Sequence, residues 1–264
     1  MTAIFRVFLA ASLCVFALYP RAAHAAAAAP TIAECIADLV TANHILFDQG
    51  VVDAFGHVSV RSPTRPDRFY MARNRAPGDV VTADILEYTI DSEPAAPTTS
   101  LLYSERYIHG EIFRARPDVM AVVHGHSYAL VTLSAVQGAR LRPVMHFAGF
   151  IGNEAPMFEI RDFAGDASDL FLRTRALGAS LAKQLGSGNI VVMRGHGSAI
   201  TGDSLAQVVH RAVYAEVNAR MQLDAMKAGA VNYLSPGEVR ATATSPNYAR
   251  AWDFWKAQAE ARRK

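Results

Sequence analysis

Cysteine is almost missing from this chain, which has only Cys14 and Cys35 in 264 residues. A scaffold stapled by several disulfides is therefore excluded, and the fold must rest on its core. An excess of one charge is missing too: 26 Lys and Arg stand against 24 Asp and Glu. That near balance leaves no electrostatic footprint for a nucleic-acid partner. Long apolar runs are scarce. The run of note, Val7 to Leu18, falls short of the roughly 20 apolar residues that span a bilayer. Internal repeats are lacking, as is any linker long enough to divide the chain after residue 30.

What is present at the N-terminus has the pattern of a leader. Arg6 precedes the apolar run, and Ala23-His24-Ala25 follows it as an A-x-A-like cleavage site. Residues 1–25 are expected to be a signal peptide that is removed, placing the protein in the periplasm with no membrane attachment; a retained anchor helix is the alternative. Removal takes away Arg6 and Arg21, so 26 basic residues become 24 and the remaining chain is formally neutral. It also takes Cys14, leaving Cys35 as a small buried apolar residue rather than a nucleophile.

With 51% apolar and 19% charged residues, the rest has globular composition and enough length to bury a full core. Ile36, Leu39, Val40, Leu46 and Phe47 recur at helical spacing from Thr31, and Gly50 stops that helix. Short strands are predicted around Val58–Val60 and Phe69–Met71, and a Pro-, Thr- and Ser-rich loop over 91–100. A second helix is predicted from Ser104 to Pro117, a strand over Met120–Val123 and a short helix after His126. A further helix over Leu170–Leu185, a strand over Ile190–Met193, the longest helix over Ser204–Lys227 and a terminal helix with Trp252 and Trp255 complete the pattern. Helices and strands alternate, so residues 31–264 are expected to form one α/β domain, a central mixed sheet sandwiched between helix layers.

The segment that points to chemistry is Val122-Val123-His124-Gly125-His126-Ser127. Side chains two apart on an extended chain lie on one side, so His124 and His126 can share one cation. A catalytic centre needs a third protein ligand and an open position. His196 is the best candidate, because it follows a short apolar strand and stands between Gly195 and Gly197. On these residues alone two readings stay open: a shared divalent ion, or histidines that serve the core.

The chain resembles the class II aldolase/adducin family. The resemblance is carried by Gly56-His57-Val58-Ser59-Val60-Arg61, by Ser104-Glu105 with His109 four residues on, and by Arg116-Pro117-Asp118 leading into the His124–Ser127 segment. It ends with Arg194-Gly195-His196-Gly197. It implies that His124, His126 and His196 bind a divalent metal, zinc first, with manganese or iron as alternatives. Glu105 is then the acid/base, and an apolar pocket would raise its pKa toward neutrality. By itself, Glu105 would read as an acid favouring the positive end of a helix dipole. The resemblance also implies a homotetramer with sites near subunit interfaces, so that Tyr233, Tyr248, Trp252 and Trp255 in the tail could close a neighbour's site.

The expected function is a metal-dependent carbon–carbon lyase, an aldolase or a decarboxylase, acting on a small hydroxy-carbonyl or hydroxy-carboxylate through a metal-stabilised enolate. The alternatives are another metal-dependent reaction of the family (epimerase, dehydratase or non-haem iron oxygenase) and a non-catalytic adducin-like binding module. The sugar-phosphate aldolases of the family hold phosphate with residues that are rewritten here. His57 stands where they have Asn, Arg73-Asn74-Arg75 replaces their turn, and Tyr103-Ser104 replaces their serine pair. A phosphorylated substrate is therefore disfavoured, and export disfavours it independently. Arg73 and Arg75 suggest a bound carboxylate, since guanidinium matches carboxylate bidentately. His57, Ser104 and His109 are further candidates for substrate contact; His146 is weaker, and His44 and His210 read as structural.

Overall fold

The computed structural model describes residues 30–244 and 248–263. The signal-peptide reading of residues 1–25 lies outside the described residues. Seven strands form one sheet: β1 (His57–Arg61), β2 (Arg68–Ala72), β3 (Ile85–Thr89), β4 (Ala121–Gly125), β5 (Met157–Phe158), β6 (Ile190–Met193) and β7 (Gly197–Gly202). Their order across the sheet is β3-β2-β1-β4-β7-β6-β5. β5 and β6 run parallel and the other neighbours antiparallel, so the sheet is mixed as expected.

The helices are α1 (Ile32–Asp48), α2 (Arg106–Ala115), α3 (Tyr128–Ala135), α4 (Arg161–Ala164), α5 (Arg175–Leu185), α6 (Leu205–Ala228), α7 (Pro236–Thr242) and α8 (Tyr248–Ala261). None of those among the described residues is long and apolar enough to cross a membrane. α1 begins where the sequence can satisfy its first free N–H groups. Thr31 accepts from the Glu34 amide at 3.2 Å, and the Glu34 carboxylate accepts from the Thr31 amide at 2.8 Å.

The pleat sorts each strand between two cores. Val58 and Val60 of β1, Ala121 and Val123 of β4 and Ile190 and Val192 of β6 join Leu39, Ile45, Leu130, Val208 and Ala212 from α1, α3 and α6. The opposite face carries Phe69, Met71, Val122, Val191 and Met193 against Ile108, Ile112, Phe113, Leu181 and Leu185 from α2 and α5. Each fully buried Leu or Ile contributes on the order of 2 kcal/mol. The second face also receives His57, Ser59 and Arg61, the alternate residues of β1, all buried. The Arg61 guanidinium donates to the carbonyls of Val119, Pro66, Phe113 and Arg116, so burial leaves it satisfied.

Three expectations need correction. Residues 170–174 are not helical: Leu170 has φ +69°, Leu172 is fully buried, and α5 starts only at Arg175, with Thr174 capping it. β3, β5 and β7 were not foreseen as strands. The tail is not a free arm. Trp252 and Trp255 are buried in their own chain's core with α1 and α6, and Tyr233 lies under the Arg142 guanidinium at 3.9 Å. The two indole rings thus keep their large apolar area out of water within this chain's own core.

Candidate active site

Four side chains converge at the ends of β4 and β7 on the α2 side of the sheet. His124 is the fourth residue of β4 and shares a face with Val122; His126 follows as the strand ends. His196 sits in the hairpin turn between β6 and β7, held by a 3.1 Å bond from its amide to the Met193 carbonyl. Gly195, at φ +66°, lets that turn close. Gly197 faces Gly125 so closely that a Cβ there would run into the Gly125 carbonyl. The two histidine-bearing strand ends therefore meet main chain against main chain.

Glu105 comes from the other layer. It precedes α2, yet its side chain makes no capping bond. Its Oε1 accepts from the Leu172 amide at 2.9 Å, and its Oε2 lies 3.5 Å from His124 Nε2 and 3.4 Å from His196 Nε2. The helix-start reading thus fails locally, and the segment expected to be helical supplies the amide that orients the carboxylate. Burial pushes the Glu105 pKa up, but the adjacent His124 and His196 imidazoles act the other way and hold the carboxyl below its ordinary value. The expected rise toward neutrality does not occur.

One ligand atom from each of Glu105, His124, His126 and His196 lies within 4.8 Å of the others. His124 Nδ1 faces the Ser198 carbonyl at 3.0 Å, so it carries the proton and leaves the Nε2 lone pair directed at the cluster. His126 Nε2 is 3.0 Å from that Nε2. Burial and neighbouring histidines press the His126 pKa down to about 3, keeping it neutral, the form that binds metals. Nitrogen lone pairs and an ionised carboxylate crowded together repel one another unless a cation lies between them. This donor set therefore fits a divalent ion, His₃ plus a carboxylate.

The supports reach further back. Ser127 donates to the buried Glu216 carboxylate, which also accepts from the Ala129 amide at 3.1 Å, so α6 anchors the turn that carries His126. Gly195 N–H donates to Ser134 Oγ at 2.9 Å and ties α3 to the His196 turn.

A cavity of about 190 Å³ opens beside Glu105 and His126, walled by Phe55, His57, Asn74, Tyr103, Ser104 and Phe171. Other hollows, such as the one between Phe147 and Trp255, bring no comparable cluster of ligand atoms among the described residues. His57 lies in this wall and Ser104 at its rim. His109 is fully buried behind His57, with ring nitrogens 2.6 Å apart. Arg73 and Arg75 are turned to Asp84, at 2.8 and 3.6 Å, while Asn74 between them reaches the cavity. Sequence reasoning missed Asn74, Phe55, Phe171 and Glu216. Only Asn74 had a signal, its place between the two arginines.

Comparison with known proteins agrees with the architecture. A profile of the Class II Aldolase and Adducin N-terminal domain matches residues 37–223. The decarboxylase tropJ of Talaromyces stipitatus is 35% identical over 242 residues, covering 82% of this chain and 91% of that protein. A 3,4-dihydroxyphthalate decarboxylase of a Terrabacter species is 28% identical, over 72% of this chain and 80% of its own. Among solved structures, an aldolase II superfamily protein from Pseudomonas syringae superposes with TM-score 0.70 at 22% identity, covering 86% of this chain and 92% of that one. The chain belongs to the class II aldolase and adducin family, and its named relatives support a lyase-type reaction on a small molecule.

Proposed function

We propose that this chain is a metal-dependent decarboxylase that removes carbon dioxide from a small hydroxylated aromatic or heteroaromatic acid. The observation that carries the reading is the convergence of three imidazoles and one ionised carboxylate beside a cavity walled by aromatic rings. The relatives named as decarboxylases favour this outcome over aldol cleavage. His124, His126 and His196 would hold the ion, zinc first, with manganese or iron as alternatives. Bound there, it supplies Lewis acidity toward a hydroxyl and a neighbouring carboxylate of the substrate.

The chain's own groups do the rest. Glu105 Oε2 takes the proton of the substrate hydroxyl, its carboxylate held in place by the Leu172 amide. When the bond to the carboxyl carbon breaks, its electron pair stays on the ring, and the proton returns from Glu105 to that carbon. Water then reprotonates the oxygen. Phe55, Tyr103 and Phe171 offer flat apolar area to an aromatic substrate and exclude water from the breaking bond. Export to the periplasm rests on the leader-like segment 1–25, and a homotetramer on the resemblance; cell fractionation and light scattering check them.

The test is metal content together with product. The chain from residue 26 on, made without a chelating tag, should hold about one divalent ion and release carbon dioxide from hydroxy-aromatic carboxylates. His124→Ala and His196→Ala should lose both. A metal-free wild type after reconstitution would overturn the metal centre. Release of an aldehyde in place of carbon dioxide would move the assignment to aldol cleavage.

A further inference from the structure

Behind the wall of the cavity runs a row of three buried polar side chains that the mechanism above does not use. Ser59 Oγ lies 2.6 Å from His109 Nδ1, and His109 Nε2 lies 2.6 Å from His57 Nδ1. Ser59 and His109 are fully buried, and His57 is exposed by only 5%. The row starts on β1, crosses to α2 and returns to β1 at the cavity. The His57 ring centroid is 4.5 Å from that of Tyr103 and 5.0 Å from that of His124.

The direction of the row follows from hydrogen-bond accounting. Ser59 Oγ makes one hydrogen bond among the described residues, to His109. If it accepted there, its own hydroxyl hydrogen would be buried without an acceptor, at a cost of about 1–3 kcal/mol. Ser59 therefore donates, and His109 Nδ1 accepts. A neutral ring that accepts at Nδ1 carries its proton at Nε2, so His109 donates to His57 Nδ1. His57 by the same rule carries its proton at Nε2. That nitrogen makes no hydrogen bond within the described protein, and its ring forms part of the cavity wall.

We propose that His57 presents a fixed N–H at Nε2 to an anionic oxygen of the substrate, and that Ser59 and His109 are positioning residues that set this tautomer. Glu105 and His57 then address the cavity with opposite polarity, one accepting and one donating. A carboxylate oxygen meets a donor at His57 and repulsion at Glu105, so an anionic, hydroxylated substrate is oriented one way round. Only the identity of the anion rests on the decarboxylase reading; the tautomer does not.

Long-range proton–nitrogen NMR of the ¹⁵N-labelled, zinc-reconstituted chain reads the tautomers directly, with His57 assigned by its loss in His57→Gln. Protons at Nε2 of both His57 and His109 are expected; a His57 ring protonated at Nδ1 alone overturns the proposal. In Ser59→Ala the His57 tautomer should become mixed with zinc content unchanged, and an unaltered tautomer would refute the positioning role. Calorimetry with 2-hydroxybenzoate supplies the second arm. His57→Gln, which keeps an N–H at similar reach, should bind within about threefold of wild type, and His57→Phe should bind about ten- to hundredfold more weakly. Unchanged binding in His57→Phe rejects the anion contact. If the chain is not a decarboxylase, carbon dioxide release fails while the tautomer and the anion binding remain.

Discussion

The two faces of the sheet use the same strands for different ends. On the side of α1, α3, α6 and α8 the strands offer Val58, Val60, Ala121, Val123 and Ile200, none of which has a side chain that needs a hydrogen bond. On the side of α2 and α5 the same strands offer His57, Ser59, Arg61 and His124, each buried and each with a specific partner. Apolar packing tolerates change and fails by degrees. A buried polar network fails when one member is lost, because its partner is then left unsatisfied. The first face should therefore govern stability and the second chemistry.

The sharpest way to break this division is Glu105→Gln. The amide keeps the shape but cannot take the hydroxyl proton, so turnover should fall about 10²–10⁴-fold, with melting temperature little changed. Steady-state rates beside a thermal melt decide it. On the other face, Leu39→Ala removes a fully buried side chain from α1 and should cost about 2–5 kcal/mol in denaturant unfolding. The turnover of its folded fraction should be that of the wild type. A Leu39→Ala protein of normal stability and lost activity would reverse the comparison.

Acid should also separate the two faces. Burial pushes the His109 pKa down to about 3 and the His210 pKa down to about 4, with His124 adding to the first and Arg211 to the second. Folded values below the unfolded value near 6.5 mean that acid protonates the unfolded chain first. The stability these groups contribute is complete above about pH 6.5 and is lost as pH falls toward 4 and then 3. Each pH unit costs about 1.4 kcal/mol per group. Urea titrations of metal-free protein should show midpoints falling over that window, and His210→Phe should flatten the slope. The smallest effect is at Thr31→Ala, which removes the α1 cap and should cost about 1 kcal/mol with no change in turnover.

The alternation Val58/Val60 against His57/Ser59 was readable as a strand, but not which face would be polar, because that depends on the helix laid over it. His124, His126 and His196 were legible from local pattern, two side chains on one strand face and one in a glycine-flanked turn. Glu105 was legible only through resemblance, since its partner amide, Leu172, is 67 residues away. Arg73 and Arg75 looked free because Asp84, which occupies them, gives no local signal. The buried tail was unreadable because its covering surface on α1 lies at the other end of the chain.

The approach of Gly125 to Gly197 has a consequence for anyone redesigning this protein. His126 and His196 are neighbours of those glycines, so the spacing of two of the three imidazoles is set by touching backbones and offers little room for adjustment. Changing the spacing of the imidazoles by altering the strands would mean moving main chain. Glu105 is different: it stands just ahead of α2, on a side chain steered by one amide from a separate loop. Swapping that loop is the cheaper way to re-aim the carboxylate, and the histidine mount can be left as a fixed part.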